Sequence, residues 1–188
     1  MSLSDSAALD RLLLERSVRR GHFVLASGRT SQFYVDCRLT TMSAEGLTLI
    51  GRLGLDAVRD QGWVPAAIGG LTMGADPVAY AIAASSASNG PALDAFSVRK
   101  EAKTHGTGRR VEGNFKAGDA VVVVEDVITS GGSALKAIEA IKEEGGTILG
   151  VLAVVDREEG GRSAIEGAGY EVVVLTTATR LGLKEQGS

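Results

Sequence analysis

The sequence predicts an α/β fold in which helices flank a mostly parallel central sheet. Strand-like apolar segments and helical segments alternate over residues 66–175, which is the pattern of strand-helix-strand units joined by right-handed crossovers. Residues 120–124, Ala-Val-Val-Val-Val, show no polar alternation, as is typical of a parallel strand covered on both faces. Polar or glycine-rich segments follow the strands. We therefore expect a ligand site at the carboxyl edge of the sheet.

The N-terminal part of the chain predicts two helices separated by a β-hairpin. Apolar residues at helical spacing predict the first helix, and alternation on both sides of a Ser-Gly-Arg turn predicts the hairpin. Ser43 is a good N-cap for the second helix, although three glycines within it lower its helical propensity. The expected ranges are Ser4 or Asp5 to Gly21, residues 22–38 around Ser27-Gly28-Arg29, and Ser43 to about Asp60.

The remaining chain predicts five strands and three helices. The strands are expected at residues 66–69, 93–98, 120–124, 148–155 and 172–175, and the helices at residues 76–87, 132–144 and 162–166. No internal repeat or low-complexity segment interrupts this order. We therefore expect a single domain over residues 1–188.

The composition of the 188-residue chain indicates a globular protein with a substantial core. Hydrophobic residues make up 44% of it, and 25 glycines occur with only 3 prolines and no Gly-X-Y period, which excludes collagen and a disordered chain. The glycine surplus is typical of tight turns and of close backbone approach to phosphates. The net charge of -3 argues against a surface built for nucleic acid or anionic lipid.

Cysteine content and the N-terminal sequence predict a cytoplasmic protein without a structural metal. Cys37 is the only cysteine, so no disulfide can form within the chain, and no set of Cys and His residues has metal-ligand spacing. No basic region precedes an apolar stretch at the N-terminus, and no window approaches about 18 consecutive apolar residues. We therefore expect no contact with a membrane.

The strongest functional signal is residues 121–133, Val-Val-Val-Val-Glu-Asp-Val-Ile-Thr-Ser-Gly-Gly-Ser. A buried strand ends here in two carboxylates, Glu125 and Asp126, and a turn of small residues leads into a helix. Hydroxyls and unhindered backbone N–H groups at a helix N-terminus favour a phosphate dianion. The two acids can accept hydrogen bonds from vicinal hydroxyls or approach a hydrated magnesium ion. The alternative is a strand-to-helix turn whose acids only face solvent or cap the helix.

A second signal is the cationic segment 99–110, Arg-Lys-Glu-Ala-Lys-Thr-His-Gly-Thr-Gly-Arg-Arg. Its charge of +4 leaves -7 for the rest of the chain, and its two glycines would let it move as a lid. It contains no aromatic residue on which a nucleic-acid base could stack. A solvated basic loop is the alternative. The donors that suit a polyphosphate are Arg99, Lys100, Lys103 and His105.

Two common nucleotide-binding motifs are absent from the sequence. No Gly-Lys-Ser/Thr follows a glycine-rich loop, so the chain has no Walker A motif. The dinucleotide fingerprint G-x-G-x-x-G is also missing. ATPases and nicotinamide-dependent enzymes are therefore disfavoured.

Residues 121–133 resemble the phosphoribosyl pyrophosphate (PRPP) binding motif of the type I phosphoribosyltransferases, which has four apolar residues, two acids, two apolar residues and Thr-Ser-Gly-Gly-Ser. The order Arg-Lys-Glu-x-Lys-x-His-Gly in residues 99–106 is similar to the mobile catalytic loop of orotate phosphoribosyltransferases. This second resemblance extends over essentially the whole chain. It implies a type I phosphoribosyltransferase-like fold with a small N-terminal hood, about residues 1–42, and a mobile loop, about residues 99–117.

The resemblance also implies roles for individual residues. The catalytic residues would be Lys103, His105, Glu125 and Asp126. PRPP would be bound by Arg99, Lys100, Lys103, His105, Glu125, Asp126, Val127, Ile128, Thr129, Ser130, Gly131, Gly132 and Ser133, and orotate by Thr129 and Arg157. Phe33 and Tyr34 are candidates for the wall against the flat base. Residues 69–76 resemble the family's pyrophosphate loop, in which Asp76 taken alone could equally be a helix cap.

By the same resemblance, the protein would convert orotate and PRPP to orotidine 5'-monophosphate and pyrophosphate in pyrimidine nucleotide synthesis. Magnesium would be the cofactor, held mainly by substrate and water, and a homodimer would place Lys100 in the neighbouring subunit's site. Many family members carry a lysine where this chain has Ala26 and another where it has Met73. The alternatives are a phosphoribosyltransferase for a purine or uracil, and a regulator that binds PRPP as a signal.

Overall fold

The computed structural model describes residues 3–24, 30–101 and 109–184. Helices and strands alternate through most of this part of the chain, as predicted. The helices are α1 (Leu3–Arg16), α2 (Arg38–Thr41), α3 (Ala44–Asp60), α4 (Ala75–Ser88), α5 (Gly132–Glu143) and α6 (Gly161–Gly167). The strands are β1 (Val18–Val24), β2 (Thr30–Val35), β3 (Ala67–Leu71), β4 (Asp94–Val98), β5 (Val111–Gly113), β6 (Ala120–Ile128), β7 (Thr147–Asp156) and β8 (Val172–Thr177).

Six strands form the central sheet in the order β5-β4-β3-β6-β7-β8. Neighbouring strands are parallel except at the edge, where β5 is antiparallel to β4. Residues Val121 to Val124 of β6 are completely buried. Val122 and Val124 pack into the core beneath α1, α3 and α4, whereas Val121 and Val123 pack into the core beneath α5. The predicted α/β architecture and the two-sided burial of this strand are confirmed.

The hairpin β1-β2 forms a separate two-stranded sheet. Its antiparallel register pairs Val18 with Val35 and Val24 with Thr30. Phe33 and Val35 point into the core, and the backbone N–H of Asp36 donates to the carbonyl of Ser17 at 2.9 Å. The hairpin is therefore anchored to the main body through its β2 strand.

Two predicted boundaries are wrong because pairing between distant residues decided them. The first helix ends at Arg16 instead of Gly21, because the residues from Val18 onward pair with β2. Strand β6 continues past Val124 to Ile128, because Val127 and Ile128 pair with the end of β7. Glu125 and Asp126 therefore lie within the strand.

Local signals fixed other boundaries correctly. The predicted cap of α3 is confirmed, because the Ser43 hydroxyl accepts from the backbone N–H of Gly46 at 3.1 Å.

The short elements α2 and β5 were not predicted, and β5 lies inside the segment assigned to a loop at residues 99–117. Among the described residues, no helix has both the length and the apolar content needed to cross a membrane.

Glycines allow the strands around β3 to approach closely. A Cβ atom built on Gly69 would overlap the carbonyl oxygen of Phe96 on β4, and one on Gly70 would overlap the carbonyl oxygen of Val124 on β6. Both obstacles are backbone atoms held in the sheet, so they cannot move aside as a side chain would. Alanine at either position must separate strands that carry the carboxyl edge.

We expect Gly69→Ala to lower the free energy of unfolding by about 2–3 kcal/mol, because its methyl group overpacks a fully buried position. Gly167→Ala is the control, since a Cβ atom there meets no described neighbour within 4 Å. Urea unfolding followed by the fluorescence of Trp63, the only tryptophan, measures both variants. Equal stability of the two variants would contradict the tight packing of β3 on β4.

Candidate active site

The segments that follow four parallel strands meet at the carboxyl edge of the sheet. They are residues 72–74 after β3, residues 99–101 after β4, residues 129–131 after β6 and residues 157–160 after β7. Hydrogen bonds align them: Thr72 N donates to the carbonyl of Val98 at 2.8 Å, and Arg157 N donates to the carbonyl of Ile128 at 3.0 Å. The sheet thus brings together the regions that the sequence singled out.

The turn between β6 and α5 has the geometry of a phosphate site. Gly131 has φ 79° and precedes the first residue of α5, so the turn presents main-chain N–H groups at the start of a 12-residue helix. A cleft with an empty volume of about 300 Å³ opens at this turn. It is lined by Glu125 and residues 127–134. The structure therefore brings the predicted Thr-Ser-Gly-Gly-Ser segment around one cleft.

Helix α6 supports the same turn from behind. A Cβ atom on Gly161 would lie 2.5 Å from the carbonyl oxygen of Thr129 and 2.7 Å from the nitrogen of Gly131. A Cβ atom on Gly131 would lie 2.7 Å from the carbonyl oxygen of Gly161. The two glycines thus permit backbone contact between the phosphate turn and the start of α6, and this contact was not predicted from the sequence.

Glu125 and Asp126 occupy the last part of β6 and face different surroundings. Glu125 is only 5% exposed, lines the cleft, and its Oε1 has no hydrogen-bond partner among the described residues. Burial, assisted by the charge of Asp126, raises the pKa of Glu125 to about 8. Burial also raises the pKa of Asp126, although the N–H of Val127 donates to its Oδ1 at 2.9 Å and opposes that change. The pair offers carboxyl oxygens to a ligand.

Asp126 also contacts the segment after β3. A Cβ atom on Gly74 would lie 2.5 Å from Oδ1 of Asp126, so a larger residue there would displace the carboxylate. The predicted pyrophosphate segment and the predicted acid pair are therefore adjacent in the structure.

Arg157 is a buried cation at the end of β7, with 4% of its surface exposed. Its Nε donates to Oε1 of Glu159 at 2.9 Å, and its Nη2 lies 2.7 Å from the same oxygen. Nη2 also donates to the hydroxyl of Ser31 on β2 at 3.3 Å, and the guanidinium carbon lies 4.8 Å from the centre of the Phe33 ring. Arg157 thus links the hairpin to the carboxyl edge.

Only the ends of the cationic segment are described. Lys103 and His105 lie outside the described residues, as does Ala26. Lys100 is exposed, and the Arg99 guanidinium is 3.3 Å from Oε1 of Glu112.

The base of this segment is held by Glu144, the residue that follows α5. Oε1 of Glu144 accepts from the backbone N–H groups of Arg110 and Val111 at 2.8 and 2.9 Å, and Arg110 in turn accepts from the N–H of Arg99 at 2.8 Å. The two ends of the cationic segment are therefore joined and fixed to the body of the protein.

The sequence did not reveal Arg38 and left the role of Asp76 open. Arg38 donates from Nε and Nη2 to the two carboxylate oxygens of Asp36 at 2.8 and 2.9 Å, and this contact lowers the pKa of Asp36. The charge of Arg38 also favours ionised Asp126. Asp76 lies inside α4 and bonds side chains, whereas Gly74 occupies the cap position. Asp36 and Asp76 both follow strands, which was the available signal, but only the fold shows that Asp76 also binds Ser97, 21 residues away.

The described residues contain no cluster of three or more His, Cys, Asp or Glu side chains that could hold a metal ion. The buried acids of β6 nevertheless supply hard oxygen donors, which magnesium prefers, and one of these oxygens lacks a hydrogen-bond partner among the described residues. The donor set fits a magnesium ion that takes most of its ligands from a bound polyphosphate and water.

Comparison with known proteins agrees with this geometry. Residues 43–169 match the family model of the phosphoribosyl transferase domain. The chain is 45% identical over 184 residues to an orotate phosphoribosyltransferase of Rhodopirellula baltica, with 96% of this chain and 95% of the relative covered. An orotate phosphoribosyltransferase of Aquifex aeolicus is 44% identical, with 96% of this chain and 100% of the relative covered.

A solved structure shares the fold. The crystal structure of Mycobacterium tuberculosis orotate phosphoribosyltransferase in complex with PRPP has a TM-score of 0.80 and 40% sequence identity, and the match covers 95% of this chain and 99% of that one. The family model and the two relatives each match well over half of this chain. The chain therefore belongs to the orotate phosphoribosyltransferases, within the phosphoribosyl transferase domain family.

Proposed function

We propose that this protein transfers the 5-phosphoribosyl group from PRPP to orotate, giving orotidine 5'-monophosphate and pyrophosphate in the cytoplasmic synthesis of UMP. The observation that carries the proposal is the juxtaposition of the phosphate turn at residues 129–133 with the buried guanidinium of Arg157, the residue that follows the neighbouring strand β7. A guanidinium binds a planar carboxylate such as that of orotate, whereas a purine has no such group.

The arrangement of the carboxyl edge supports one orientation of PRPP. The 5-phosphate would bind the main-chain N–H groups of residues 129–133, and the ribose hydroxyls would bind Glu125 and Asp126 at the end of the same strand. The pyrophosphate would then lie toward the turn at residues 72–74, whose Gly74 contacts Asp126. It would also lie toward Arg99, Lys103 and His105 of the same subunit and toward Lys100 supplied by a neighbouring one. Phe33 beside Arg157 would contact the orotate ring.

The reaction in this orientation is a substitution at the anomeric carbon of the ribose. A ring nitrogen of orotate forms the new bond while the bond to the pyrophosphate oxygen breaks, and the electron pair leaves with pyrophosphate. Positive charge grows on the ribose ring, where the acid pair of β6 would offset it, and Lys103, His105 and Arg99 would stabilise the leaving group. Catalysis comes from alignment and placed charge, so no covalent nucleophile is needed.

Magnesium is the cofactor that we propose for this site. When bound, it neutralises part of the pyrophosphate charge and strengthens pyrophosphate as a leaving group. Glu125 and Asp126 are the residues of this chain that would face it, and Arg99 would replace its contact with Glu112 by one with pyrophosphate.

We also propose a homodimer in which Lys100 acts in the neighbouring subunit's site. Lys100 is exposed at the start of the cationic segment. Lys100 follows β4 at the carboxyl edge of the sheet. Its exposed ammonium group is therefore available to a second subunit, which supports this arrangement.

The direct test of the proposed function measures the fall in orotate absorbance when PRPP is added, with and without magnesium. We expect turnover that requires both PRPP and the metal, and no turnover with adenine, hypoxanthine or uracil. Turnover with one of these bases instead of orotate would assign the protein to another phosphoribosyltransferase activity. Binding of PRPP without turnover of any base would favour a regulator.

The shared site predicts complementation between two inactive variants, Lys100→Ala and Asp126→Asn. If Lys100 acts in the neighbouring site, each mixed dimer has one site with both defects and one site with none. After equal mixing and random reassociation, we expect about a quarter of the wild-type activity. The control is each variant mixed with itself. Mixed dimers no more active than these controls would contradict action across the interface.

The buried acid pair predicts a pH dependence of stability. Between its ordinary pKa of 4.5 and the raised value of about 8, Glu125 is protonated in the folded protein but ionised in the unfolded chain. The folded state therefore binds more protons, and the free energy of unfolding falls as pH rises, by up to about 1.4 kcal/mol per pH unit. Glu125→Gln removes this dependence, because glutamine does not titrate.

Urea unfolding of both proteins at several pH values between 5 and 8 measures this effect. We expect the stability of the wild type to fall relative to Glu125→Gln across the window. Glu139→Gln on exposed α5 surface is the control and should follow the wild type. Parallel profiles for the wild type and Glu125→Gln would show that Glu125 does not carry the proton.

A further inference from the structure

A chain of hydrogen bonds centred on Asp76 joins the segment after β3 to the end of β4. The Thr72 hydroxyl donates to Oδ2 of Asp76 at 2.7 Å, and the Ser97 hydroxyl donates to Oδ1 at 2.7 Å. Oγ of Ser97 also lies 2.9 Å from the hydroxyl of Tyr80. Since the proton of Ser97 is committed to Asp76, the Tyr80 hydroxyl is the donor in this last bond.

The two hydroxyls that bind Asp76 belong to segments that would handle pyrophosphate. Thr72 begins the turn whose Gly74 contacts the carboxylate of Asp126. Ser97 lies two residues before Arg99, at the point where β4 leads into the cationic segment. One carboxylate of α4 therefore fixes the spacing between the two segments.

The turn after β3 has no cation of its own with which to bind an anion. Met73 stands at its centre and is 60% exposed, so the side chain there contributes no charge. The N–H of Thr72 donates to the carbonyl of Val98, so any binding of pyrophosphate by this turn must come from the main-chain N–H groups of Met73 and Gly74. Such groups bind well only when their directions are fixed beforehand, because each hydrogen bond depends steeply on angle.

We propose that Asp76 is a positioning residue, which holds the turn at residues 72–74 against Asp126 so that the main-chain N–H groups of Met73 and Gly74 face the pyrophosphate of PRPP. This inference rests on the proposed function, since it assumes that PRPP is the ligand. Asp76 acts through the hydroxyls of Thr72 and Ser97 and does not touch the substrate. A lysine at position 73 would bind pyrophosphate through its charge. In this chain, which has Met73 there, Asp76 would instead hold the backbone rigid so that its N–H groups can bind.

A purely structural role must be distinguished from this one. Asp76 lies in the first turn of α4, where an acid also stabilises the helix through its dipole. The dipole effect needs the carboxylate only, whereas the positioning role needs the two hydroxyls that bind it. Variants of the hydroxyl partners therefore separate the two roles while leaving Asp76 in place.

The test compares Thr72→Val, which keeps the shape but removes the hydroxyl, with Thr72→Ser, which keeps the hydroxyl. We expect Thr72→Val and Ser97→Ala each to raise the KM for PRPP about tenfold, the usual effect of losing a hydrogen bond to a charged group. The KM for orotate should change less than about twofold, since the orotate contacts lie on β7 and the hairpin. Thr72→Ser should restore the KM for PRPP.

Asp94→Asn is the matched control, because Asp94 lies at the opposite end of β4. Its KM values should equal those of the wild type. A direct contact between Thr72 and the substrate would raise the KM in Thr72→Val but not in Ser97→Ala, and this result would overturn the proposal. Equal KM values in Thr72→Val and Thr72→Ser, or an equal rise in the KM for orotate, would overturn it as well.

Binding measured by calorimetry without orotate keeps this test separate from that of the proposed function. The probes are PRPP and inorganic pyrophosphate, each with magnesium. If the wild type binds them but does not turn over orotate, the proposed function fails, and the ratio of affinities between wild type and Thr72→Val still decides the role of Asp76. If the wild type binds neither probe, the turn is not a pyrophosphate site and the proposal fails.

Discussion

The burial of two acids at the end of β6 is the constraint on which the rest of the site depends. Four valines before them are completely buried between two layers of helices, so the strand cannot shift to bring its acids into solvent. Removing a carboxylate from water is costly unless it gains hydrogen bonds or a proton. Asp126 gains a hydrogen bond from the main-chain N–H of Val127. The pKa of Glu125 is raised to about 8, so its carboxyl group holds a proton below that pH. The fold thus places poorly satisfied carboxyl groups where a hydroxyl-bearing ligand can complete them.

The surrounding backbone is packed to hold those acids in place, and glycine makes this packing possible. The turn after β3 meets the carboxylate of Asp126 at Gly74, where a side chain would displace that carboxylate, and the phosphate turn rests on the backbone of α6 because Gly131 and Gly161 have no side chains. Each contact joins a segment after one strand to a segment after its neighbour. The glycine surplus of the sequence is therefore concentrated in part at the carboxyl edge, where it lets backbone replace side chains as the supporting structure.

The sequence predicted those parts of the molecule that local patterns determine. The unbroken valine run identified β6 as central, and the hydroxyl of Ser43 identified the start of α3. Failures occurred where a distant partner decides. The end of β6 depends on its register with β7, and β5 exists because it pairs with β4. The sequence left Asp76 open between a pyrophosphate-loop residue and a helix cap, because no local pattern shows its hydrogen bonds to Thr72 and Ser97. The candidate site shows the same difference. Its residues could be identified from the sequence, but the contacts between them could not be predicted.

The charge of the site presents an apparent contradiction, because acids lie where a polyanion would bind. The geometry reduces the repulsion in two ways. Glu125 retains its proton at neutral pH, so one of the two carboxyl groups beside the phosphate turn carries no charge. Burial raises the pKa of Asp126, and the nearby charge of Arg38 opposes that shift by favouring the ionised form. The acids therefore carry less negative charge near the position proposed for the ribose, while the sequence of residues 99–110 has a net charge of +4. In the proposed orientation of PRPP, the acids would stabilise the ribose end of the breaking bond and the cationic segment the pyrophosphate end, which neither a uniformly basic nor a uniformly acidic cleft could do.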